Sequence, residues 1–424
     1  MNTKTLSETN YKRLNREQRG QIIAQKYHIT KTKNGDYKVP SQFNAGSYTV
    51  KMTSMKEECD CPDYELRKCK CKHIFAVEYI LNHEIKIDSE GNMTVTQTQT
   101  VRKTYTQQWK QYNSAQQSEK AEFMRLLADL TNNIVNPVYI FGRPRTALSD
   151  VIYTMIYKVY NGFSGRRFAT DMNIAIEKGY LQNKIPYNTM FDYFQKKELT
   201  PLLVNMVRIT SLPLKDIETK FSTDGTGFGT SVYERWFSYK YGKEITGKKW
   251  IKCNFINGVK TNIITSVDVT AEYVHESPAF KRLVKETAEN FKIEEISGDK
   301  AYSGRNNLKA VEEFGGLPFI AFKENATERP IGATIWKKMY HYYQYRREEY
   351  LQHYHLRSNA ETTVMMMKTK FGGSIRSKKW ESQVNETLCK VITHNICCVI
   401  TSMHELGING DFTMEGQNGL TKSL

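Results

Sequence analysis

Four cysteines and one histidine crowd into positions 59–73, and their types and spacing are those of a metal site. They are Cys59, Cys61, Cys69, Cys71 and His73. Zinc takes four nitrogen or sulfur ligands in a tetrahedron, and two short pairs, Cys59 with Cys61 and Cys71 with His73, supply that set. Cys69 is an alternative ligand in place of Cys59 or Cys71. The spacing predicts a closed, structural site for one zinc ion. The alternative is a set of surface cysteines beside a chance histidine.

A second group, Tyr354, Arg357, Glu361 and Lys368, is spaced for one face of a helix. At about 100° per residue, the four side chains fall on a stripe roughly 60° wide. The stripe presents a phenol, a guanidinium, a carboxylate and an ammonium in line. A target with repeating negative charge, such as a phosphate backbone, would engage its cations. The alternative is a solvated helix face with incidental charges.

Metal-dependent phosphodiester chemistry needs several carboxylates, because two divalent ions are usually held by several acidic oxygens. Besides Glu361, two acids stand where predicted strands end. Asp224 precedes a predicted Gly-rich turn, and Asp299 follows the short strand 295–298. Each aspartate alone also suits a turn or a helix N-cap. The rival acids are Asp268 in mid-strand and Glu348 and Glu349 on the same predicted helix as Glu361.

The segment that carries these acids, residues 218–424, alternates strand and helix. Its predicted strands lie at 220–223, 250–256, 262–269, 295–298 and 317–322. Its predicted helices include 278–291, 308–314, one continuous helix over about 345–369 and a buried helix around 391–403. Three early strands followed by alternating helix and strand predict a mixed α/β sheet.

The two preceding parts have different patterns. Residues 1–100 predict a polar helix, strands at 37–39 and 47–52, a helix at 73–82 and a small hairpin. Residues 101–217 predict mostly helices, at 121–134, 148–160, 168–179 and 187–196. The last two are joined by a turn-containing connector, which fits a DNA-reading helix-turn-helix and a structural helical hairpin equally.

The composition favours one class of binding partner, and the sequence argues against a secreted or membrane-spanning protein. The 424 residues include 61 Lys and Arg against 45 Asp and Glu, a formal charge of +16, which favours a polyanionic partner. Residues 337–380 alone hold ten Lys and Arg against three Glu. The sequence shows no signal peptide and no apolar run long enough to span a membrane. We therefore expect a cytoplasmic protein, associated with the nucleoid if it is bacterial.

The cysteine segment resembles the SWIM-type zinc finger, whose pattern is C-x-C followed by C-x-H. The preceding strands and the apolar run Ile74-Phe75-Ala76-Val77 match that family too. The resemblance covers about residues 48–83. It implies a zinc module of the kind thought to serve DNA or protein contacts.

The run Tyr354, Arg357, Glu361, Lys368 resembles the Y-x2-R-x3-E-x6-K pattern of a large group of insertion-sequence transposases. Asp224 and Asp299 resemble that group's first and second catalytic acids. The resemblance covers about 218–400 and implies an RNase H-like catalytic domain of the DDE type. The gap between Asp299 and Glu361 leaves room for one strand and some helix, but for no large inserted domain.

The resemblance also implies roles. Asp224, Asp299 and Glu361 would be the catalytic acids and hold two Mg²⁺ ions, or Mn²⁺, while Tyr354, Arg357 and Lys368 would contact DNA phosphates. The partners would be double-stranded DNA, as terminal inverted repeats and target, and a second protomer in a homodimeric DNA complex. Group members that form hairpin ends use a tryptophan to hold a flipped base. The tryptophans in or near this domain are Trp236, Trp250 and Trp336.

The whole pattern therefore predicts three parts: a zinc module within 1–100, an all-α DNA-binding region at 101–217 and a mixed-sheet catalytic domain at 218–424. The expected activity is DNA cleavage at element ends, followed by strand transfer. The alternatives are a non-catalytic zinc-finger regulator derived from a transposase and a nuclease without strand transfer. A structural α/β protein with a zinc staple would leave the four-residue stripe unexplained.

Overall fold

The computed structural model describes residues 14–32, 34–42, 46–52, 57–87, 93–97, 108–132, 134–136, 141, 145–230, 240, 249–329 and 331–412. The chain divides into two compact units, Met1–Thr106 and Gln107–Leu424. Each is described by itself. Among the described helices, none is long and apolar enough to cross a bilayer.

The first unit packs helices against a small antiparallel sheet of order β1-β2-β3-β4. Its strands are β1 (Thr30–Lys31), β2 (Tyr37–Pro40), β3 (Ser47–Met52) and β4 (Glu57–Cys59). Its helices are α1 (Arg16–Lys26), α2 (Pro62–Arg67) and α3 (Lys72–Asn82). A separate hairpin pairs β5 (His83–Ile87) with β6 (Met93–Gln97), which confirms the hairpin predicted there.

Close packing of α1 on α3 depends on a glycine. A Cβ at Gly20 would lie 2.6 Å from Cβ of Phe75, so only glycine permits this approach. Asn15 begins α1 with a capping box, in which its side chain and that of Gln18 each accept the other's backbone N–H. The small core beneath includes Ile23 and Val50, both fully buried.

The second unit is built on a five-stranded mixed sheet. Its strands are β7 (Lys220–Gly229), β8 (Trp250–Gly258), β9 (Ile264–Ala271), β10 (Glu295–Gly298) and β11 (Leu317–Ile320). The spatial order is β11-β10-β7-β8-β9. The first three strands pair antiparallel, and β10 is parallel to both β7 and β11. This is the RNase H-like topology, and it confirms the predicted mixed-sheet fold.

Along the chain, helices come before, between and after the strands of this sheet. They are α4 (Trp109–Thr131), α5 (Leu148–Asn161), α6 (Ala169–Glu177), α7 (Tyr187–Phe194), α8 (Leu199–Ser211), α9 (Ser277–Ala288), α10 (Arg305–Glu313), α11 (Thr334–Tyr345), α12 (Arg347–Tyr354), α13 (Ser358–Phe371) and α14 (Trp380–Leu406). A single 3₁₀ turn, His355–Arg357, separates α12 from α13.

Helix α14 is the centre of the second unit. It is buried around most of its length and packs against α4, α5, α8 and strand β9. Its Asn395 side chain donates to the carbonyl oxygens of Val207 and Ile264 and accepts the Ile264 N–H at 2.9 Å. Helices from 108–214 thus share one hydrophobic core with the sheet. The predicted domain boundary at residue 217 stays a prediction.

The structure differs from the sequence-based prediction at three elements. The strand predicted to end at Thr223 continues to Gly229, so Asp224 lies within β7 and the predicted Gly-rich turn is strand. Helix α8 was not predicted. The continuous helix predicted over 345–369 is broken into α12, the 3₁₀ turn and α13. The break is a change to tighter local hydrogen bonding, since Tyr354, His355, Arg357 and Ser358 keep right-handed helical dihedral angles.

Candidate functional sites

The cysteine cluster of the first unit closes into a candidate metal centre. Cys59 ends β4, Cys61 precedes α2, and Cys71 and His73 stand at the start of α3. Their ligand atoms all lie within 4.8 Å of one another, and all four residues are buried. His73 Nδ1 lies 3.9 Å from Sγ of both Cys59 and Cys71, a spacing that a tetrahedral zinc fits.

Two further observations fit a bound cation here. Hydrogen bonding between the two thiols raises the pKa of Cys59 and lowers that of Cys71, and the thiolate is the form of cysteine that binds a metal ion. The buried His73 Nε2 has no hydrogen-bond partner among the described residues, and the ring packs on Tyr48 at 4.6 Å. Cys69 is exposed and lies outside the group.

The two candidate catalytic aspartates lie at neighbouring parallel strands, Asp224 within β7 and Asp299 directly after β10. Thr223 on β7 pairs with Gly298 on β10, so Asp224 and Asp299 follow side by side. Burial, with Asp299 and Glu276 as nearby negative charges, raises the pKa of Asp224 to about 6. The Gly225 N–H donates to Asp224 Oδ1 at 2.8 Å and favours the charged form. Asp299 Oδ1 accepts the Ala301 N–H at 2.6 Å, so it is also an N-cap.

A third carboxylate at this place, Glu276, was missed from the sequence. It precedes α9, and a Cβ at Gly225 would lie 2.7 Å from its Oε1. Its carboxylate accepts a hydrogen bond from the Tyr302 hydroxyl at 3.3 Å and pairs with Lys252 at 3.4 Å. No spacing pattern in the sequence links Glu276 to Asp224, because the two residues are far apart along the chain and approach each other only in the folded protein.

The amide of Asn254 also reaches this place and was missed. Asn254 is 1% exposed, and neither its oxygen nor its nitrogen has a partner among the described residues. Its Oδ1 would lie 2.7 Å from a Cβ at Gly225. Glycine at 225 therefore leaves room for a carboxylate and an amide to approach β7.

The four-residue stripe is only partly assembled. Arg357 lies over the Tyr354 ring at 5.7 Å and pairs with Glu361 at 3.1 Å. Lys368 Nζ lies 5.8 Å from the centre of the Phe228 ring, apart from the other three. Helix α13 is held on the sheet by Thr363, which accepts a hydrogen bond from Asn257 at 3.0 Å.

The three candidate acids do not converge as metal ligands in this structure. Among the described residues, the Cys59–His73 cluster is the only group of three or more cysteines, histidines or acids with ligand atoms so close together. Glu361 is exposed and paired with Arg357. Two of the three rival acids are engaged elsewhere: Asp268 pairs with Arg282, and Glu349 pairs with Arg346.

The tryptophans of this unit have different environments. Trp336 is buried, and its Nε1 donates to the Thr327 carbonyl oxygen at 2.7 Å. Trp250 is partly exposed, and its ring covers Gly227, where a Cβ would lie 2.9 Å from Cδ1. Trp236 lies outside the described residues.

Residues 217–396 match the protein-family model described as "Transposase DDE domain". The match spans the five strands and reaches into α14. This match supports a DDE transposase domain in this part of the chain. No curated protein and no solved structure gives a significant match to the chain.

Proposed function

We propose that this protein is a DNA transposase that cuts DNA at the ends of an insertion sequence and joins the freed 3′-hydroxyl to target DNA. The observation that carries the proposal is the pair formed by Asp224, within β7, and Asp299, directly after the adjacent parallel strand β10, in a segment that matches a transposase DDE domain. Neighbouring carboxylates in this arrangement suit divalent metal ions.

Asp224, Asp299 and Glu361 are the proposed ligands of two Mg²⁺ ions, with Mn²⁺ as a substitute. The bound ions would activate the attacking oxygen and stabilise the leaving oxygen of an in-line displacement. The first attack, by water, frees a 3′-hydroxyl, and the second, by that hydroxyl, forms the bond to target DNA. The site needs no covalent link between protein and DNA.

Arg357 is proposed to control Glu361. In the DNA-free protein the guanidinium pairs with the Glu361 carboxylate at 3.1 Å. A DNA phosphate offers Arg357 a competing bidentate partner, and its capture would release Glu361 for the metal site. Tyr354 and Lys368 are proposed to bind phosphates beside it. This arrangement would couple completion of the acid set to the presence of DNA.

The remaining parts of the proposal concern binding. The Cys59, Cys61, Cys71 and His73 cluster is proposed to hold one structural zinc ion in a SWIM-type module that contacts DNA or protein. The helical region 101–217 is proposed to bind the element ends. Two protomers would pair the two ends, so the active complex is proposed to be a homodimer on DNA.

A cleavage and strand-transfer assay tests the chemistry. The substrate is the DNA that flanks the gene, with any terminal inverted repeats it carries, and products are separated with Mg²⁺ or Mn²⁺ present. We expect Asp299→Asn and Glu361→Gln to lower both cleavage and joining at least a thousandfold. The matched controls Asp192→Asn and Glu348→Gln, at exposed acids, should retain activity.

The products distinguish the alternatives. Cut ends without joined products would indicate a nuclease, and specific binding without any metal-dependent cut would indicate a regulator. Full activity in either Asp299→Asn or Glu361→Gln would refute the proposed acid set.

A further inference from the structure

A cavity of about 710 Å³ lies in the second unit, between α5, α7 and the segment that leads into α14. Five cationic side chains and one carboxylate line it: Lys158, Arg166, Arg376, Lys378, Lys379 and Glu386. None of these residues belongs to the Asp224–Asp299 site or to the Tyr354–Lys368 stripe. The excess of positive charge favours an anionic ligand.

Lys158 is the unusual member of this lining. It is 6% exposed, and its ammonium makes no hydrogen bond and no ion pair within 4 Å among the described residues. The one carboxylate nearby, Glu386, accepts the backbone N–H groups of Arg376 at 3.1 Å and Ser377 at 2.9 Å. Burial lowers the pKa of Lys158. A buried ammonium without a direct partner is costly, and an anion in the cavity would offset that cost.

Two exposed aromatic side chains also line the cavity. Tyr187 and Phe191, on successive turns of α7, are 36% and 40% exposed, with ring centres 6.2 Å apart. Both lie against Gly165, where a Cβ would come within 3.0 Å of Tyr187 Cβ and 3.1 Å of Phe191 Cζ. Exposed aromatic faces beside cations are the arrangement that binds nucleotides, because bases stack while phosphates pair with charge.

We propose that this cavity binds a nucleotide, with its phosphate at Lys158 and Arg376 and its base against Tyr187 and Phe191. The nucleotide is either free or an unstacked residue of a DNA strand. The site is separate from the proposed catalytic centre. The proposal rests on the proposed function only where the source is DNA, since a free nucleotide needs no transposase activity.

Photocrosslinking of the full chain tests the proposal. The probes are 5-iodo-2′-deoxyuridine 5′-monophosphate and a single-stranded oligonucleotide that carries one 5-iodo-2′-deoxyuridine. After irradiation, mass spectrometry maps the modified residues. We expect Tyr187 or Phe191 to be labelled by at least one probe. Labelling by the mononucleotide alone assigns a free nucleotide, and labelling by the oligonucleotide assigns a DNA strand.

Variants separate a ligand role from a structural role. Lys158→Met removes the charge and keeps the volume, so we expect it to lower mononucleotide or oligonucleotide affinity about tenfold or more. It should also raise the melting temperature of the free protein, because an unpaired buried charge is removed. Tyr187→Ser, at an exposed position, should lower affinity without unfolding the protein. Lys178→Met makes the same charge change outside the cavity and is the control.

The nucleotide site and the proposed transposase function can be refuted independently of each other. If neither probe labels Tyr187 or Phe191, or if Lys158→Met binds both probes like the parent protein, the nucleotide site is refuted. Loss of strand transfer has no effect on the mononucleotide result. Conversely, an active transposase whose cavity takes no probe would retain the proposed function and lose only this site.

Discussion

Replacing Asp224 by asparagine should stabilise the protein while it abolishes DNA cleavage. In the folded protein the pKa of Asp224 is raised to about 6, mainly by burial. In an unfolded chain an aspartate has a pKa of about 3.9. The folded state therefore holds this proton more tightly, so ionisation of Asp224 lowers the free energy of unfolding. Asparagine is neutral, keeps an acceptor oxygen for the Gly225 N–H and removes this cost.

The size of the effect follows from the two pKa values. A difference of about two pH units corresponds to ~3 kcal/mol at pH 7, and partial exposure reduces this to ~1–2 kcal/mol. The sign is fixed by proton binding: below about pH 4 both states are protonated and the cost vanishes, and it grows as pH rises towards 6 and then levels off. Between pH 5 and pH 7, the advantage of Asp224→Asn should grow by ~1 kcal/mol.

Denaturant unfolding at pH 5, 6, 7 and 8 measures this difference, with Asp192→Asn as the control at an exposed aspartate. Millimolar Mg²⁺ should raise the stability of the parent protein but not that of Asp224→Asn, because binding to the folded state is stabilising by mass action. The reasoning is refuted if Asp224→Asn is less stable than the parent at pH 7, or if its advantage is the same at every pH.

Three other perturbations have expected outcomes. Cys71→Ser should release zinc and unfold the first unit, whereas Cys69→Ser should leave both the zinc content, measured by atomic absorption, and the unit's circular dichroism unchanged. Gly225→Ala, whose Cβ would come within 2.7 Å of a buried amide and a carboxylate, should slow DNA cleavage at least tenfold. Gly229→Ala on the same strand, with no atom closer than 3.9 Å, should cleave normally. Asn395→Leu should lower the free energy of unfolding by ~2–4 kcal/mol in urea titrations, because two carbonyl oxygens and one N–H lose their buried partner.

Local patterns predicted much of the fold and part of the site. Short spacings predicted which four residues come together as a possible metal site, because Cys59 to His73 fold within one strand–helix unit. Alternation and turn residues predicted all five strands of the second unit. Helix α8 was missed although its buried residues Leu199, Leu202, Leu203 and Met206 follow helical spacing, and Pro201 lies in its first turn, where the missing N–H costs nothing.

Two of the misses, the strand segment at Gly225 and Gly227 and the carboxylate of Glu276, have one physical cause, which is contact between distant parts of the chain. Gly225 and Gly227 resemble turn residues, but in β7 they make room for Glu276 and for the Trp250 ring. Nothing near residue 276 in the sequence indicates that its carboxylate approaches Asp224. The 3₁₀ turn before α13 was missed for another reason, since its residues have ordinary helical propensity and differ only in hydrogen bonding.

The position of α14 has a consequence for synthesis on the ribosome. This helix fills the core between α4, which precedes the sheet, and β9, so contacts of very high sequence separation must form last. Until residues 380–406 emerge, the faces of α4, α5 and α8 that pack on α14 stay exposed, and such apolar surfaces promote aggregation and proteolysis. We therefore expect nascent chains that stop before residue 380 to be degraded. Truncated transcripts would then yield no stable fragment able to occupy DNA ends and block the intact protein.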